Sequence, residues 1–251
     1  MSETAVGGPV PSRPSPDQAS VPEGLVTAVV NLVGTGPVLL GAYTLAELTA
    51  VDAIVDFLEA RPSDEVLAEA VRSLAARQLL VPGSAGHQVR VRGDLGIAVA
   101  FEQRAKMVLD ARVTGTVPGE PWRTLLLPQP EHIFLVVRID ALGVHEIGLY
   151  PSDKTLDDLV AWLPQGAPAD AEGAVDADAV LASSDRSALI TVTRYSTQGS
   201  AEIAEGSSDL ILARHDGQLH AFGRAAADTA SLVPRQLDGK DMRETLADLL
   251  A

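Results

Sequence analysis

Histidines are the residues of this chain best suited to acid–base or metal chemistry, and there are five of them. His132 and His145 fall in neighbouring stretches with strand-like patterns, and His215 and His220 flank a predicted hairpin turn, so each pair could meet across two strands. None of the five has the His-Glu-x-x-His spacing that places two ligands on one face of a helix. Histidines in turns and on strand surfaces need no catalytic role, and we predict no metal site.

Other signatures of catalysis are missing from the sequence. The glycines of residues 34–37 are not followed by the Lys-Ser/Thr ending of a phosphate-binding loop, and Pro37 has no amide N–H to donate. No serine lies in a Gly-x-Ser-x-Gly motif, and the acidic clusters at 157–158 and 176–178 lack the ligand pattern of a calcium loop. Because the chain has no cysteine, thiol catalysis and cysteine-ligated metals are excluded. The sequence therefore predicts a protein that is not an enzyme and needs no cofactor.

The chain is strongly acidic, with 34 Asp and Glu against 19 Lys and Arg and a formal charge of −15. Binding to nucleic-acid phosphates or to anionic membrane surfaces depends on Lys and Arg, so we expect no nucleic-acid partner. No apolar run approaches the roughly 20 residues of a membrane helix, so we expect no membrane insertion. Residues 1–24 lack the apolar core of a signal peptide, which favours a cytoplasmic location.

The elements that would position any site belong to a module that occurs twice in the last two-thirds of the chain. A strand, a turn, two further strands and an amphipathic helix follow one another over 124–163. The same order recurs 87 residues later over 209–250, so that the turn at 128–131 falls on the turn at 215–218 without a gap. The Asp-Gly pair of the second turn is typical of a type I′ hairpin. The sequence predicts an α+β fold with a pseudo-two-fold duplicated antiparallel sheet-plus-helix module.

An N-terminal helical segment precedes the duplicated module. The valine-rich run 25–33 predicts a strand. Thr44 precedes Glu47 by three residues, the spacing of a capping box, and opens a predicted helix over 45–60. A second helix is predicted over 63–78. The remaining predicted elements are short extended stretches at 79–81 and 89–91, a helix at 93–103, and strands at 105–114 and 186–194.

Two helices followed by two short strands over 45–91 also match a winged-helix DNA-binding domain. The second of these helices carries Arg72 and Arg77, but its first two turns are acidic. A helix that reads DNA is normally more basic. A winged-helix transcriptional regulator using residues 45–91 is therefore the alternative function, and a basic face on the second helix would favour it.

Composition divides the chain into a tail and one domain. Residues 1–24 contain five prolines and predict a disordered tail. Residues 25–251 are predicted to form a single α+β domain made of two related halves, 25–163 and 185–251. Residues 164–184 are rich in Ala, Asp, Pro and Gly and predict a linker, with one turn of helix at 177–182.

Three sequence segments carry a family resemblance. They are Leu-Ala-Ala-Arg-Gln-Leu-Leu at 74–80, Asp-Gly-Gln-Leu-His-Ala-Phe at 216–222, and the last strand, glycine turn and closing helix over 233–250. With these segments, the layout from residue 25 onward resembles EspG, the cytoplasmic chaperone family associated with ESX (type VII) secretion in actinobacteria. The resemblance implies a pseudo-two-fold α+β domain built on a central sheet.

The resemblance also implies a function without chemical turnover. EspG-type chaperones bind a helical-hairpin secretion substrate of the PE/PPE kind, keep it soluble and mark it for one secretion system. This chain departs from the family in its Pro-rich tail and in its few aromatic residues, which are reduced to Trp122 after the helical segment. The loop 115–121, the sheet and the C-terminal helices would approach the substrate. By position, the predicted partner-binding residues are Val117, Trp122, Tyr195, Met242 and Leu246.

Overall fold

The computed structural model describes residues 23–53, 61–82, 89–169, 176–198, 201–224, 231–237 and 241–251. Within those residues the chain forms seven helices and twelve strands. The helices are α1 (Glu23–Val33), α2 (Leu45–Thr49), α3 (Asp64–Ala76), α4 (Gly93–Arg104), α5 (Ser152–Trp162), α6 (Ala177–Ser183) and α7 (Met242–Leu250). The strands are β1 (Val38–Thr44), β2 (Leu80–Pro82), β3 (Val89–Val91), β4 (Met107–Val113), β5 (Arg123–Gln129), β6 (Ile133–Ile139), β7 (Val144–Pro151), β8 (Ala167–Pro168), β9 (Arg186–Gln198), β10 (Ala201–His215), β11 (Gln218–Arg224) and β12 (Leu232–Pro234).

Ten of these strands form one sheet, in the order β1-β7-β6-β5-β4-β9-β10-β11-β12, with β8 added in parallel to β11. All other pairings in this sheet are antiparallel. β2 and β3 form a separate small hairpin. The predicted α+β class with a large antiparallel sheet is confirmed.

The duplication is visible in the order of the strands. From the central β4–β9 pair, β5, β6 and β7 follow outward on one side and β10, β11 and β12 on the other. Each series ends in a helix on the same face, α5 after β7 and α7 after β12. Ala111 on β4 lies opposite Ile190 on β9, near the middle of the pair. The repeated unit therefore begins one strand earlier than the sequence pattern indicated, with β4 and β9.

The two hairpin turns differ by one residue, so the ungapped alignment of the halves is wrong at this point. Three residues separate Gln129 from Ile133 in the first half, and two separate His215 from Gln218 in the second. The second turn, Asp216-Gly217, has φ of 49° and 77°, as the predicted type I′ turn requires.

Helices cover both faces of the sheet. On the front face, α1 to α4 pack over the first half around a core that includes Leu74, Phe101 and Leu135. α6 packs on the front face of the second half through Val180. On the back face, α5 and α7 pack over β4, β9 and β10 around a core that includes Leu246. The back-face core contains residues of both halves, which it joins into one unit.

Two predictions for the N-terminal segment differ from the structure, and one strand was not predicted. The valine-rich run is helix α1, because Val26, Val29 and Val33 recur at helical spacing and are buried together. β1 was not predicted. The helix beginning at Leu45 ends at Thr49 and is followed by a turn in which Asp52 adopts φ of 50°; the rest of the predicted helix, 54–60, lies outside the described residues.

The predicted capping box, linker and N-terminal tail have different outcomes. The capping box is confirmed, with Glu47 N–H donating to the Thr44 hydroxyl and Thr44 N–H donating to the Glu47 carboxylate. The predicted linker 164–184 contains β8 and α6, and α6 includes the predicted helical turn. The predicted disordered tail falls on residues 1–22, which lie outside the described residues, and on the first two residues of α1.

Candidate functional site

The four histidines within the described residues, at 132, 145, 215 and 220, are not grouped into a metal site. His132 lies beside the end of β7, where its carbonyl accepts from Ser152 N–H at 3.0 Å, whereas His145 lies at the start of β7. The His215 and His220 rings do meet, with centroids 6.4 Å apart. Among the described residues, no three His, Cys, Asp or Glu side chains are grouped so that they could hold a metal ion.

A row of charged side chains crosses the front face where the two halves join. Asp110 on β4 accepts hydrogen bonds from the Arg123 guanidinium at 2.9 and 2.7 Å, and Asp209 on β10 accepts from the Thr191 hydroxyl at 2.8 Å and pairs with Arg224. The two carboxylates are separated by β9, or about 9 to 10 Å by strand spacing, and each is neutralised by an arginine. The row therefore supports the junction and does not form a carboxylate pair for catalysis.

The candidate functional site is an exposed apolar surface at one end of the sheet. Val117 is 59% exposed and Trp122 36% exposed on the β4–β5 loop, and Leu142 is 88% exposed on the β6–β7 turn. The two loops adjoin, because Trp122 N–H donates to the carbonyl of Ile139, the last residue of β6. We call Val117, Trp122 and Leu142 the sheet-end surface. Large apolar side chains exposed on adjoining loops are a feature of many protein-binding sites.

Hydrogen bonds fix the part of this surface that contains Trp122 and Leu142. The Trp122 indole N–H donates to the Asp140 carbonyl at 3.0 Å. One Asp140 carboxylate oxygen accepts from Leu142 N–H and from Val144 N–H, both at 2.9 Å. Gly143 follows with φ of 76°, a conformation that glycine adopts without strain. The turn thus holds the Leu142 side chain in solvent on an ordered backbone.

The β4–β5 loop is fixed by an ion pair between the two halves. The Glu120 carboxylate accepts from Val117 N–H at 3.0 Å and from the Arg186 guanidinium at 3.0 Å. Arg186 also donates to the carbonyls of Gly115 and Trp162, at 3.2 and 2.7 Å. The hydrogen bond from Arg186 is the main reason that the pKa of Glu120 is lowered. The β4–β5 loop is therefore tied to β9 and to the end of α5.

Gly115 is required where this loop leaves β4. Its φ is 70°, and a Cβ atom added there would lie 2.2 Å from the Asp185 carbonyl oxygen. The glycine lets the loop pass against the start of β9, which brings Arg186 within reach of Glu120.

The five predicted contact residues do not converge. Val117 and Trp122 share the sheet-end surface. Tyr195 packs partly buried against the front-face core, nine positions along β9 from Arg186, or about 30 Å by strand rise. Met242 is partly buried on the back face, and Leu246 is fully buried there. A fully buried side chain presents no surface to a partner, so Leu246 does not fit the predicted contact role.

Sequence reasoning did not find two residues of the site. Leu142 could have been recognised as a large apolar residue between two predicted strands, one position before Gly143. Arg186 carried no comparable signal, because its partners Glu120, Gly115 and Trp162 are distant in sequence.

The electrostatics of α3 do not favour the winged-helix alternative. Arg72 pairs with Glu69, and Arg77 pairs with the buried Glu47. The first turn of the helix adds two acidic residues. The basic face that would support DNA reading is therefore not present on α3.

No protein-family model matches this chain, and a search of curated proteins finds no match. Among the described residues, no helix combines the length and the apolar character needed to cross a membrane. The function of the protein is therefore inferred from the residues and contacts of the chain itself.

Proposed function

We propose that the protein is a non-enzymatic cytoplasmic chaperone or adaptor of the EspG type, which binds a helical secretion substrate of a type VII system and keeps it soluble and targeted. The observation that carries the proposal is the sheet-end surface, in which Val117, Trp122 and Leu142 are exposed on hydrogen-bonded backbone. The resemblance of the sequence to EspG supplies the class of partner. The proposed partner is a helical-hairpin protein, PE/PPE-like or a related small secreted protein.

A fixed apolar surface suits reversible protein binding. Burying its three side chains against a partner would remove apolar area from water. Because the hydrogen bonds of Glu120 and Asp140 already order the two loops, little conformational entropy of the loops is lost on binding. An amphipathic helix offers the complementary feature, an apolar stripe repeating every three to four residues. The sheet-end surface would cover part of such a stripe and prevent its self-association.

Charge would contribute to selection of the partner. Glu120, Asp140 and Arg186 lie around the apolar side chains, and the chain as a whole carries a formal charge of −15. Electrostatic complementarity mainly affects the rate of association and the rejection of wrong partners. A helical tip that is neutral or basic therefore fits better than an acidic one.

The proposal is tested by co-purification from the native host, followed by reconstitution. The tagged chain is compared with V117D/L142D, which places charge in the sheet-end surface, and with L39D, a control at a residue 63% exposed on β1. We expect a helical-hairpin protein to co-purify at near-stoichiometric yield with the wild type and with L39D. When the purified partner is titrated, V117D/L142D should bind it with a Kd at least tenfold weaker, which corresponds to a loss of about 1.4 kcal/mol.

Two outcomes would contradict the proposal. Equal binding of the partner by V117D/L142D and the wild type would remove the sheet-end surface from the contact. Absence of any helical protein that binds the purified chain would remove the chaperone function itself.

A further inference from the structure

The turn that carries Leu142 lies against a buried histidine. His145 is the second residue of β7 and is 2% exposed. Its Nδ1 lies 3.0 Å from the Gly143 carbonyl oxygen, so the neutral ring carries its proton on Nδ1 and donates to that carbonyl. Its Nε2 is buried and makes no hydrogen bond within the described part of the chain.

The charged and titratable groups around His145 come from three elements. Arg123 on β5 lies on the same face and is bound by Asp110. Asp140 lies in the turn, with a carboxylate oxygen engaged by two backbone N–H groups. Tyr43 on β1 is directly opposite His145, and its hydroxyl donates to the Leu40 carbonyl.

Other charged groups near this part of the sheet are already paired. Arg77 stacks over the Tyr43 ring, 5.0 Å from its centre, and pairs with Glu47. Arg138 and Glu146 pair with each other, with Arg138 bound to Tyr150 of the back-face core.

These surroundings favour the neutral ring. Burial lowers the pKa of His145 below its ordinary value, the backbone carbonyls of Gly143 and Tyr43 and the charge of Asp140 raise it, and Arg123 lowers it further. The net pKa is lower in the folded state than in an open turn. The closed turn is therefore fully stable above about pH 6.5, and it loses stability as the pH falls below that value, because the open form then takes up a proton more readily.

We propose that His145 makes the sheet-end surface acid-sensitive: protonation of its buried ring opens the 140–143 turn, displaces Leu142 and Trp122, and releases the bound partner. The release step rests on the proposed function, whereas the opening is a property of the free chain. Protonation places a second N–H on the ring at Nε2 and leaves a charged ring buried on the front face, where Arg123 also lies. Burial disfavours that charge more than the Gly143 and Tyr43 carbonyls favour it, so acid shifts the equilibrium toward an open form in which the ring is exposed, the hydrogen bond to Gly143 is broken and the turn is loosened.

The opening is tested on the full free chain by amide hydrogen exchange at pH 7.5 and 5.0, expressed as protection factors so that the intrinsic pH dependence of exchange cancels. In the wild type, protection of the Leu142 and Val144 amides should fall at pH 5.0 by up to about thirtyfold, the limit set by an ordinary histidine pKa of about 6.5 in the open turn. The amide of Ile190 in the central strands serves as the reference for global unfolding. The matched variant is H145N, in which an uncharged amide can still donate to Gly143. There the fall should be less than about twofold.

A second measurement does not depend on the variant folding. The His145 ring should titrate by NMR in the wild type with a pKa below the ordinary histidine value of about 6.5. Equal loss of Leu142 protection in H145N and the wild type, no loss in the wild type, or an unshifted His145 titration would each overturn the opening.

The two proposals fail differently. Capture of a partner at pH 7.5 that depends on Val117 and Leu142 supports the proposed function whatever the exchange result. If that partner remains bound to the wild type with unchanged Kd at pH 5.0, acid release is wrong, even though the binding function stands.

Discussion

Arg186, the first residue of β9, donates to the Glu120 carboxylate at 3.0 Å, so the second half of the chain holds the loop of the first half that carries Val117. The Arg186 side chain is 12% exposed and also donates to the carbonyls of Gly115 and Trp162. One guanidinium thus connects the β4–β5 loop, β9 and the end of α5. The duplicated halves share the candidate site through this contact, although the apolar residues of the surface all come from the first half.

Replacement of Arg186 by alanine should destabilise the protein. The change leaves Glu120 and two carbonyls without their donor, and we expect the free energy of unfolding to fall by about 1.5–3 kcal/mol. Urea unfolding checks this. The matched control is R72A, which removes the exposed pair with Glu69 and should cost less than about 1 kcal/mol. Equal effects of the two variants would show that Arg186 has no special role.

Gly115 and Gly119 lie on the same loop and give a matched pair of substitutions. Their φ angles are 70° and 90°, so alanine is strained at both, but only at Gly115 does the added Cβ collide with a backbone atom. G119A should cost about 1 kcal/mol, and G115A should cost more because the loop must move away from Asp185. Thermal unfolding compares them. A G115A variant as stable as G119A would mean that the loop does not need this close approach.

The sequence predicted the parts of the fold that local pattern determines. The Thr44–Glu47 capping box, the Asp216-Gly217 turn and α7 need only neighbouring residues, and the structure contains all three. The run 25–33 was assigned wrongly because valine is common in strands, while its spacing of buried positions is helical. β1 was not predicted because Gly41, in a bulge at φ of 119°, interrupts its pattern.

The candidate site was only partly predictable for a related reason. Val117 and Trp122 were proposed by position, from the resemblance of the layout to EspG. Leu246 was proposed in the same way, although it lies on the apolar stripe of α7, which is the side expected to pack on the sheet, and the structure buries it there. The contact of Arg186 with Glu120 spans 66 residues, and no local pattern records it.

Acid should destabilise the packing of α2 against α3 through Glu47. Burial raises the pKa of this carboxyl, but hydrogen bonds from Thr44 N–H, Ser73 and the Thr44 hydroxyl, together with the charge of Arg77, lower it to a net value below the usual 4.5. Because the folded-state pKa is depressed, the stabilisation is present above about pH 4.5 and is lost as the pH falls through the folded-state pKa.

The measurement is urea unfolding of wild type and E47Q at several pH values between 7 and 3. We expect E47Q to be less stable at pH 7, where it cannot pair ionically with Arg77, and to lose less stability than the wild type on acidification. Parallel pH profiles for the two proteins would show that Glu47 does not contribute to the acid response.

Duplex DNA should not bind appreciably at about 0.15 M salt, where counterion release weakens even basic proteins. The reason is structural as well as compositional, because Arg72 of α3 is paired with Glu69, and Arg77, the C-cap of α3, is paired with Glu47. Fluorescence anisotropy with labelled duplexes of mixed sequence measures DNA binding. The control is E69Q/E47Q, which removes both glutamates that pair with these arginines and so tests whether the pairing suppresses DNA binding. If the wild type binds one sequence tightly and selectively, residues 45–91 act as a winged helix and the chaperone proposal loses its priority. If neither protein binds, α3 is a structural helix that packs over the sheet, and the apolar side chains at the sheet end remain the surface on which partner binding is to be sought.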